Sequence, residues 1–290
     1  MTDKALVHHL SAPRAKGRPR VSTVIVVTLG VAFAVVMLSP FLLVAMNSFK
    51  SNADYSANGP LALPKALDLS AFERFLTLID FPTALWNSVL VSGLVTLGGL
   101  LISVLAAYAI GIGRIKARTW VVAVLLIATM VPQEALVYPL FYGAQATSTL
   151  NTVWSVIVIF IVIQGAYGTY LLAGVLGTFP KELIEAARVD GASAWRILWR
   201  VVVPVLRPTL SVLAVFFFIW TWNEFYLPVV LLGDSSSQTI PIALATLRGQ
   251  HAIEQTTITA GSFLSLLPTV IFFLIFQRTL SNGVTAGAIK

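Results

Sequence analysis

Long apolar stretches, each about the length of a membrane-spanning helix, constrain this chain more than any other feature. A helix needs about 20 predominantly apolar residues to cross the roughly 30 Å hydrocarbon core of a bilayer. Six stretches of the sequence have this length: approximately Val21–Met46, Trp86–Ile112, Thr119–Phe141, Val153–Leu176, Thr209–Leu232 and Ile258–Phe276. The sequence therefore predicts an all-α membrane protein with six transmembrane helices.

The composition supports this prediction, because only 11% of the 290 residues are charged and 57% are hydrophobic. A soluble domain typically carries about 25% charged residues. The net charge of +7 lies in short basic patches beside apolar runs, which is typical of a membrane protein rather than of a surface that binds nucleic acid. The first stretch exceeds the core of a signal peptide, about 7–15 residues, so we expect it to be retained.

Lysine and arginine predict the orientation, because cytoplasmic segments of membrane proteins carry an excess of both residues. With the N-terminus inside, only a few of the 19 such residues fall outside, namely Lys50, Lys65, Arg74 and Arg248. We therefore expect both termini to be cytoplasmic. The expected organisation is a tail of residues 1–20, a membrane domain of residues 21–280 and a tail of residues 281–290, whose glycines indicate an extended conformation.

A charged segment, residues 177–204, interrupts the apolar pattern between the fourth and fifth stretches. Pro180 suits the first turn of a helix, and the following "KELIEAARVD" is rich in helix formers. Gly191 suits the left-handed position that ends a helix, and Ser193 can cap a second helix that runs toward Pro204. The pattern predicts two short helices with a tight bend at the cytoplasmic face. An amphipathic connector resting on lipid headgroups has a similar composition.

The spacing of this segment resembles the EAA loop of bacterial ABC importer permeases. That loop reads Glu-Ala-Ala, three residues, Gly, nine residues, then an aliphatic residue, any residue, an aliphatic residue and Pro. The matching positions here are Glu185, Ala186, Ala187, Gly191, Val201, Val203 and Pro204. Asp190 and Ala192 complete the "DGA" form that is typical of the carbohydrate-uptake branch.

The resemblance covers most of the chain. The segments "SPFLLVAMNSFK", "MVPQEALVYPLFY", "WNEF" and "GVTAGAIK" look like parts of the shorter, six-span permease subunit of maltose-type sugar importers. The departures are mild, because Val201 and Val203 replace the commoner Ile and Leu. Trp195 and Trp199 also make the second helix of the loop unusually aromatic.

The resemblance implies a non-catalytic transport subunit of a bacterial inner (plasma) membrane. It implies that the loop is a coupling helix that docks on an ATPase subunit through Glu185, Ala186, Ala187, Arg188, Asp190 and Gly191. The implied partners are a second homologous permease subunit, two ATPase subunits, an extracytoplasmic solute-binding protein and a sugar. We expect no cofactor in this chain, with ATP and Mg held by the ATPase subunits, and the chain contains no Gly-Lys pair of a P-loop.

Polar and aromatic side chains within the predicted spans are candidates for the substrate path, because polar groups in spans are costly and usually face the bundle interior. Aromatic rings suit the C–H faces of a sugar, and amides and carboxylates suit its hydroxyl groups. The candidates are Gln133, Glu134, Gln164, Tyr167, Tyr170, Trp222, Asn223, Glu224 and Tyr226. The same residues also suit a subunit interface or an aromatic belt near the headgroups.

Three other functions compete with sugar import. An ABC importer for a peptide or phosphate is the nearest, and the "DGA" form favours sugar over it. A stand-alone secondary transporter or channel is disfavoured by the lack of a long internal repeat and the few ionisable groups within spans. A membrane scaffold that only binds partners is the third. No metal site is predicted, because the chain has no cysteine and His8, His9 and His251 have no second ligand at metal spacing.

Overall fold

The computed structural model describes residues 21–113, 115, 117–250 and 254–288. Its α-helices are α1 (Val21–Ser48), α2 (Asn52–Asn58), α3 (Ser70–Leu78), α4 (Phe81–Gly111), α5 (Arg118–Thr129), α6 (Gln133–Ala146), α7 (Val153–Gly177), α8 (Lys181–Val189), α9 (Ala194–Ile197), α10 (Val203–Asn223), α11 (Tyr226–Leu231), α12 (Ile240–Gln250) and α13 (Gln255–Ala288). A π-helical turn, Leu198–Val202, joins α9 to α10, and a 3₁₀ turn, Ser235–Ser237, precedes α12. The tail of residues 1–20 lies outside the described residues.

Long helices confirm the all-α membrane fold. The described ranges that are long and apolar enough to cross a bilayer are Val24–Ser48, Phe81–Gly111, Val153–Gly177, Ala194–Asn223 and Gln255–Gln277. A helix suits a bilayer because its interior N–H and C=O groups bond to each other and none is left facing lipid. The first, second, fourth and sixth predicted spans are each a single helix, and the other two differ from prediction.

The third predicted span, Thr119–Phe141, is broken rather than continuous. Its two parts, α5 and α6, are bent by 92° relative to each other across the short break. Pro132 explains the break, because proline has no N–H to donate and disfavours a helical conformation at Val131. The amide of Met130 instead donates to the carbonyl of Ile127 at 3.0 Å, which closes the end of α5.

The packing of α4 against α7 indicates that the broken pair crosses the bundle once. The two helices run parallel, because Gly98 faces Ile161 near their middles and Gly111 faces Leu176 near their C-terminal ends. The chain must therefore return from the end of α4 to the start of α7 through α5 and α6. The topology is consistent with six crossings, of which the third is bent.

The fifth predicted span, Thr209–Leu232, begins earlier in the structure and also ends earlier. One apolar helical range runs over Ala194–Asn223, and the chain leaves the helix before α11. Pro204 does not end the helix as the sequence suggested, because it falls in the first turn of α10, directly after the π turn, where its missing N–H is tolerated. The second helix of the charged segment and the span are therefore one continuous helical element, Ala194–Asn223.

Helices α4, α7 and α10 form the centre of the bundle. A Cβ added to Gly168 of α7 would overlap Ser103 of α4 and Phe217 of α10. The hydroxyl of Ser103 donates across the helices to the carbonyl of Gly165 at 3.2 Å, and Phe217 is fully buried. Small residues permit this close approach, so the three helices pack as one tight unit.

The outer helices place both ends of the membrane domain on one side. The ring of Phe49, just after α1, lies 5.6 Å from that of Phe263 near the start of α13. Phe72 of α3, the helix that directly precedes α4, lies 6.2 Å from the same ring. The end of α1 and the start of α13 thus share the end of the bundle where α4 begins. Their other ends point toward the side that holds residues 177–204.

The expected extended tail of residues 281–290 is corrected in part, since α13 continues as a helix to Ala288. Once a helix has formed, each added residue makes one further hydrogen bond, and a glycine costs only about 1 kcal/mol. The 34 residues of α13 measure about 51 Å at 1.5 Å per residue. This length exceeds the hydrocarbon thickness, so the last turns extend beyond the bilayer core.

Candidate functional site

Residues 177–204, named here the insert, form two short helices joined by a bend, as the sequence predicts. Gly191 follows α8 with a φ of +73°, a left-handed conformation that glycine adopts without strain. The side-chain oxygen of Ser193 accepts the amide of Arg196 at 3.4 Å and caps α9. The predicted turn chemistry is confirmed at both positions.

One face of the insert is anchored on the bundle. Ile184 is buried in a hydrophobic cluster that includes Leu176 of α7 and Leu198 of the π turn. The hydroxyl of Tyr108 on α4 donates to the carbonyl of Ala194 at 3.1 Å. These contacts hold α8 and α9 against the ends of α4 and α7, so the insert is a supported protrusion and not a free loop.

The other face carries the predicted docking residues. Glu185, Ala186, Arg188, Asp190 and Gly191 are exposed, and Ala187 is partly buried against the core. The sequence interpretation did not name Val189, which is 88% exposed and is the most open apolar side chain of α8. Its spacing of three residues from Ala186 places both on one side of the helix and could have identified it. The face therefore combines exposed charges with an uncovered apolar residue.

Three candidate path residues meet in an open cleft beside α7 and α10. Tyr167, Asn223 and Glu224 line this cleft together with Phe216, Ile219 and Trp220. The ring of Tyr167 stacks on Phe216 with centroids 5.6 Å apart, and it meets Trp220 edge-on at 5.9 Å. The sequence interpretation missed Phe216 and Trp220, although their spacing of four residues along α10 was a usable signal.

Polar groups close one end of this aromatic cleft. The side-chain amide of Asn223 donates to the carbonyl of Ile219 at 2.7 Å. One carboxylate oxygen of Glu224 accepts the amide of Tyr226 at 3.2 Å, just where α10 ends. The cleft thus has apolar aromatic walls and a polar rim, a combination that suits a ligand with both C–H and hydroxyl surfaces.

Two predicted path residues are buried within the bundle. Gln164 is fully buried, and its side-chain N–H donates to the hydroxyl of Thr221 at 2.7 Å. Trp222 is 5% exposed and stacks on Phe218 with centroids 5.7 Å apart. Both side chains hold α10 in place and do not line the cleft, because packing covers them on every side.

The remaining candidates lie apart from the aromatic cleft. Gln133 and Glu134 are in the first turn of α6, next to the break of the third span. Tyr170 lines a different cleft, between α5 and α7, and Tyr226 begins α11 with 41% of its surface exposed. Within the residues that the structure describes, no group of three His, Cys, Asp or Glu side chains is placed to hold a metal ion. His8, His9 and His251 lie outside those residues.

Comparison with known sequences identifies relatives over nearly the whole chain. The profile of a family described as "Binding-protein-dependent transport system inner membrane component" matches residues 11–285. The arabinooligosaccharides transport system permease protein AraQ of Halalkalibacterium halodurans is 32% identical over 91% of this chain and 95% of its own length. The probable starch degradation products transport system permease protein AmyC of Thermoanaerobacterium thermosulfurigenes is 28% identical over 90% and 95%.

The fold has a close counterpart among solved structures. A chain from the crystal structure of a bacterial ABC transporter involved in the import of the acidic polysaccharide alginate superimposes with a TM-score of 0.78. The match covers 92% of this chain and 99% of that chain at 23% sequence identity. At this identity the likeness concerns the fold.

Proposed function

This chain belongs to the family of binding-protein-dependent transport system inner membrane components, and from that premise we propose that it forms half of the path of an ABC importer for a sugar or oligosaccharide. A second homologous permease subunit forms the other half. The names of AmyC and AraQ, which specify starch degradation products and arabinooligosaccharides, support a carbohydrate substrate. The "DGA" sequence of residues 190–192 supports the same substrate class.

The insert is proposed as the docking site for a cytoplasmic ATPase subunit. The observation that carries this proposal is the continuity of the insert with α10 through the π turn Leu198–Val202. A partner seated on the exposed face of α8 would move the insert as a unit, because Ile184 and Tyr108 tie it to the bundle. No flexible linker separates α9 from α10, so the movement would reach the span directly.

The charges of the insert suit an interface with a second protein. Glu185, Arg188 and Asp190 are exposed, and such groups set the register of an interface when they meet complementary charges. Val189 would contribute an apolar contact at its centre. ATP and Mg are held by the ATPase subunits in this scheme, and closure of their dimer on ATP drives the insert.

The end of the bundle that holds the insert is proposed to face the cytoplasm of a bacterial cell. The excess of lysine and arginine in the segments at this end supports that orientation. The opposite end, with α2 and α3, then faces the extracytoplasmic binding protein that delivers the solute. Both termini lie on the cytoplasmic side in this arrangement.

The sugar is proposed to pass along the aromatic cleft. Tyr167 and Trp220 offer ring faces for the C–H surfaces of a sugar, and Asn223 and Glu224 offer polar groups for its hydroxyls. The second permease subunit would close the open side of the cleft. Gln133, Tyr170 and Tyr226 are not part of this proposed contact set, because their side chains do not line the cleft.

Charge reversal within the insert tests the docking proposal. We expect Glu185→Lys to abolish solute uptake and to prevent copurification of the ATPase subunit, while the chain still inserts in the membrane. Glu182→Lys is the matched control, because Glu182 is an exposed carboxylate of the same helix outside the proposed docking set. Uptake, membrane insertion and ATPase copurification are measured in parallel for both variants.

Two outcomes would overturn parts of the proposal separately. Normal uptake and normal ATPase retention in Glu185→Lys would refute the docking role of the insert. Uptake by the wild-type chain in the absence of any ATPase would indicate a stand-alone transporter. Capture of a peptide or phosphate, but no sugar, by the associated binding protein would leave the docking role intact and refute the substrate class.

A further inference from the structure

Two clefts meet at Arg118, at the end of the bundle that holds the insert. The first has a volume of about 290 Å³ and lies between the ends of α4 and α7 and the side of α8. Its charged lining consists of Arg118, Lys181, Arg188 and Glu185. Three cations thus face one carboxylate in a confined space, and this excess of positive charge favours an anionic ligand.

The second cleft is apolar and follows the flank of the bundle between α5 and α7. Arg118 and Thr119 line it together with the apolar residues Val122, Leu171 and Gly174. A Cβ added to Gly174 would meet no atom within 4 Å, so the floor of this groove is open. An open apolar groove on the exposed flank of the bundle is suited to a hydrocarbon chain and not to a small inorganic anion.

The geometry of Arg118 joins the two clefts. The guanidinium of Arg118 lies over Gly177. A Cβ added to Gly177 would stand 2.7 Å from Nη2 of Arg118, so the absence of a side chain at Gly177 leaves room for the guanidinium. The same nitrogen donates to the carbonyl of Ala173 over a long distance of 3.5 Å. In the described part of the chain the one ion pair is Arg74 with Glu254, near the opposite end of the bundle. The cations of the first cleft therefore have no carboxylate in ion-pair contact among the described residues.

We propose that the two clefts together bind one anionic phospholipid. Its phosphate lies among Arg118, Lys181 and Arg188, and one acyl chain follows the groove between α5 and α7. Basic pockets between membrane helices at the cytoplasmic surface suit acidic lipid headgroups, and each Lys or Arg near the surface strengthens such binding. Trp120, which is 77% exposed beside Arg118, suits the headgroup level of a bilayer.

The proposal gives the lipid a direct contact with the insert. Lys181, Glu185 and Arg188 belong to α8, while Arg118 begins α5. A bound headgroup would therefore bridge the insert and the third span. The site shares Glu185 and Arg188 with the proposed docking face. Its tests use Arg118, Lys181 and Gly174, which are outside the proposed docking set, so the two proposals can fail separately.

Charge-removing variants test the headgroup site. The full-length chain in detergent is titrated with phosphatidylglycerol or phosphatidylcholine, and the bound lipid is counted by native mass spectrometry. We expect tighter binding of phosphatidylglycerol, and we expect Arg118→Gln and Lys181→Gln to weaken it about fivefold each and about 30-fold together. Arg207→Gln is the matched control, because Arg207 is an exposed cation of α10 outside both clefts.

A groove-filling variant tests the acyl-chain site independently. Gly174→Leu places a side chain in the open groove without displacing any atom at Cβ, and it also favours the helix. We expect it to weaken phosphatidylglycerol binding at least fivefold without reducing thermal stability. Gly30→Leu is its control, because Gly30 also has open space at Cβ but lies on α1, away from the groove.

Three results would overturn the proposal. The anionic site is refuted if phosphatidylcholine binds as tightly as phosphatidylglycerol, or if Arg118→Gln, Lys181→Gln and Arg207→Gln behave alike. A free-anion site replaces the lipid site if inorganic phosphate competes at equal concentration and Gly174→Leu has no effect. Each result can be obtained without any measurement of transport.

Discussion

Gly191 decides the shape of the insert at the scale of a single residue. Its φ of +73° is left-handed, and a Cβ at this position would meet no atom within 4 Å. The requirement for glycine is therefore a matter of backbone conformation and not of space. Other residues pay for the left-handed region with about 1–2 kcal/mol, and asparagine tolerates it better than most.

The effect of a substitution at Gly191 should depend on how well the new residue tolerates the left-handed region. We expect Gly191→Ala to destabilise the bend by about 1–2 kcal/mol and to reduce uptake, while Gly191→Asn retains more of it. Transport assays on equal amounts of inserted protein measure the difference. Equal uptake by the alanine and asparagine variants would show that the left-handed bend is not needed for transport.

The aromatic cleft permits a second test on single residues. We expect Trp220→Ala to reduce sugar uptake at least tenfold, because a stacking surface for the ring is lost and the polar rim remains. Trp154→Ala is the control, since Trp154 is 57% exposed at the start of α7 and does not line the cleft. Unchanged uptake in Trp220→Ala would place the sugar path elsewhere.

Residues of the same type differ in role because of their neighbours. Gln164 and Gln133 are both amides in predicted spans, yet Gln164 bonds to Thr221 in the core and Gln133 lies beside a helix break. The sequence identifies such residues as costly in lipid but does not say which neighbour satisfies them. The burial of Gln164 in the bundle follows from this difference.

At the scale of elements, the seam between α4 and α7 depends on small residues. Gly168 faces Ser103 and Phe217 so closely that no larger side chain fits. Gly174 lies on the same helix, fewer than two turns away, with open space at Cβ. Substitution of Gly168 therefore tests helix packing, whereas substitution of Gly174 tests helix propensity.

Leucine at these two positions should have opposite consequences. We expect Gly168→Leu to destabilise the folded chain by about 1–3 kcal/mol through overpacking, and Gly174→Leu to leave thermal stability unchanged or slightly higher. Thermal unfolding in detergent, followed by circular dichroism, measures both. Equal melting temperatures would mean that the seam can open to accommodate the larger side chain.

Two prolines show how far element boundaries can be read from sequence. Pro132 breaks the third span, while Pro204 is accommodated in the first turn of α10. Proline makes both sites probable helix boundaries, because it lacks an N–H and restricts the preceding residue. The structure distinguishes them through the π turn before Pro204, whose hydrogen-bond pattern depends on packing around Leu198 and Val202.

At the scale of the whole molecule, the transmembrane topology can be tested by labelling single introduced cysteines, because the chain contains no cysteine of its own. Single cysteines are placed at Ser56, Gln145 and Glu182, which are all exposed. We expect a membrane-impermeant maleimide to label the first two in intact cells and Glu182→Cys only after permeabilisation. Gln145→Cys is decisive, because Gln145 lies in the last turn of α6, at the end of the broken pair.

The labelling pattern separates two arrangements of the broken pair. One crossing puts Gln145 on the same side as Ser56 and opposite Glu182, as the parallel packing of α4 and α7 requires. A re-entrant pair would put Gln145 on the side opposite Ser56, would move Glu182 to the side of Ser56, and would leave the chain with an odd number of spans. Labelling of Gln145→Cys only after permeabilisation would therefore refute the six-crossing topology.

The sequence alone predicts four spans as single helices, the insert and its bend. These features depend on the length of apolar runs and on the conformational preferences of Pro, Gly and Ser, which act over a few residues. The positions of Gly191 and Ser193 in the structure agree with that local chemistry.

Only the tertiary structure decided which residues meet. Helices that are apolar around most of their surface carry no periodic signal to show which face contacts which neighbour. Residues far apart in the chain meet in the parallel seam of α4 and α7, in the hydrogen bond of Gln164 to Thr221 and in the edge-on contact of Tyr167 with Trp220. Such contacts depend on how small and large side chains fit across helices, and that fit exists only when the helices are packed.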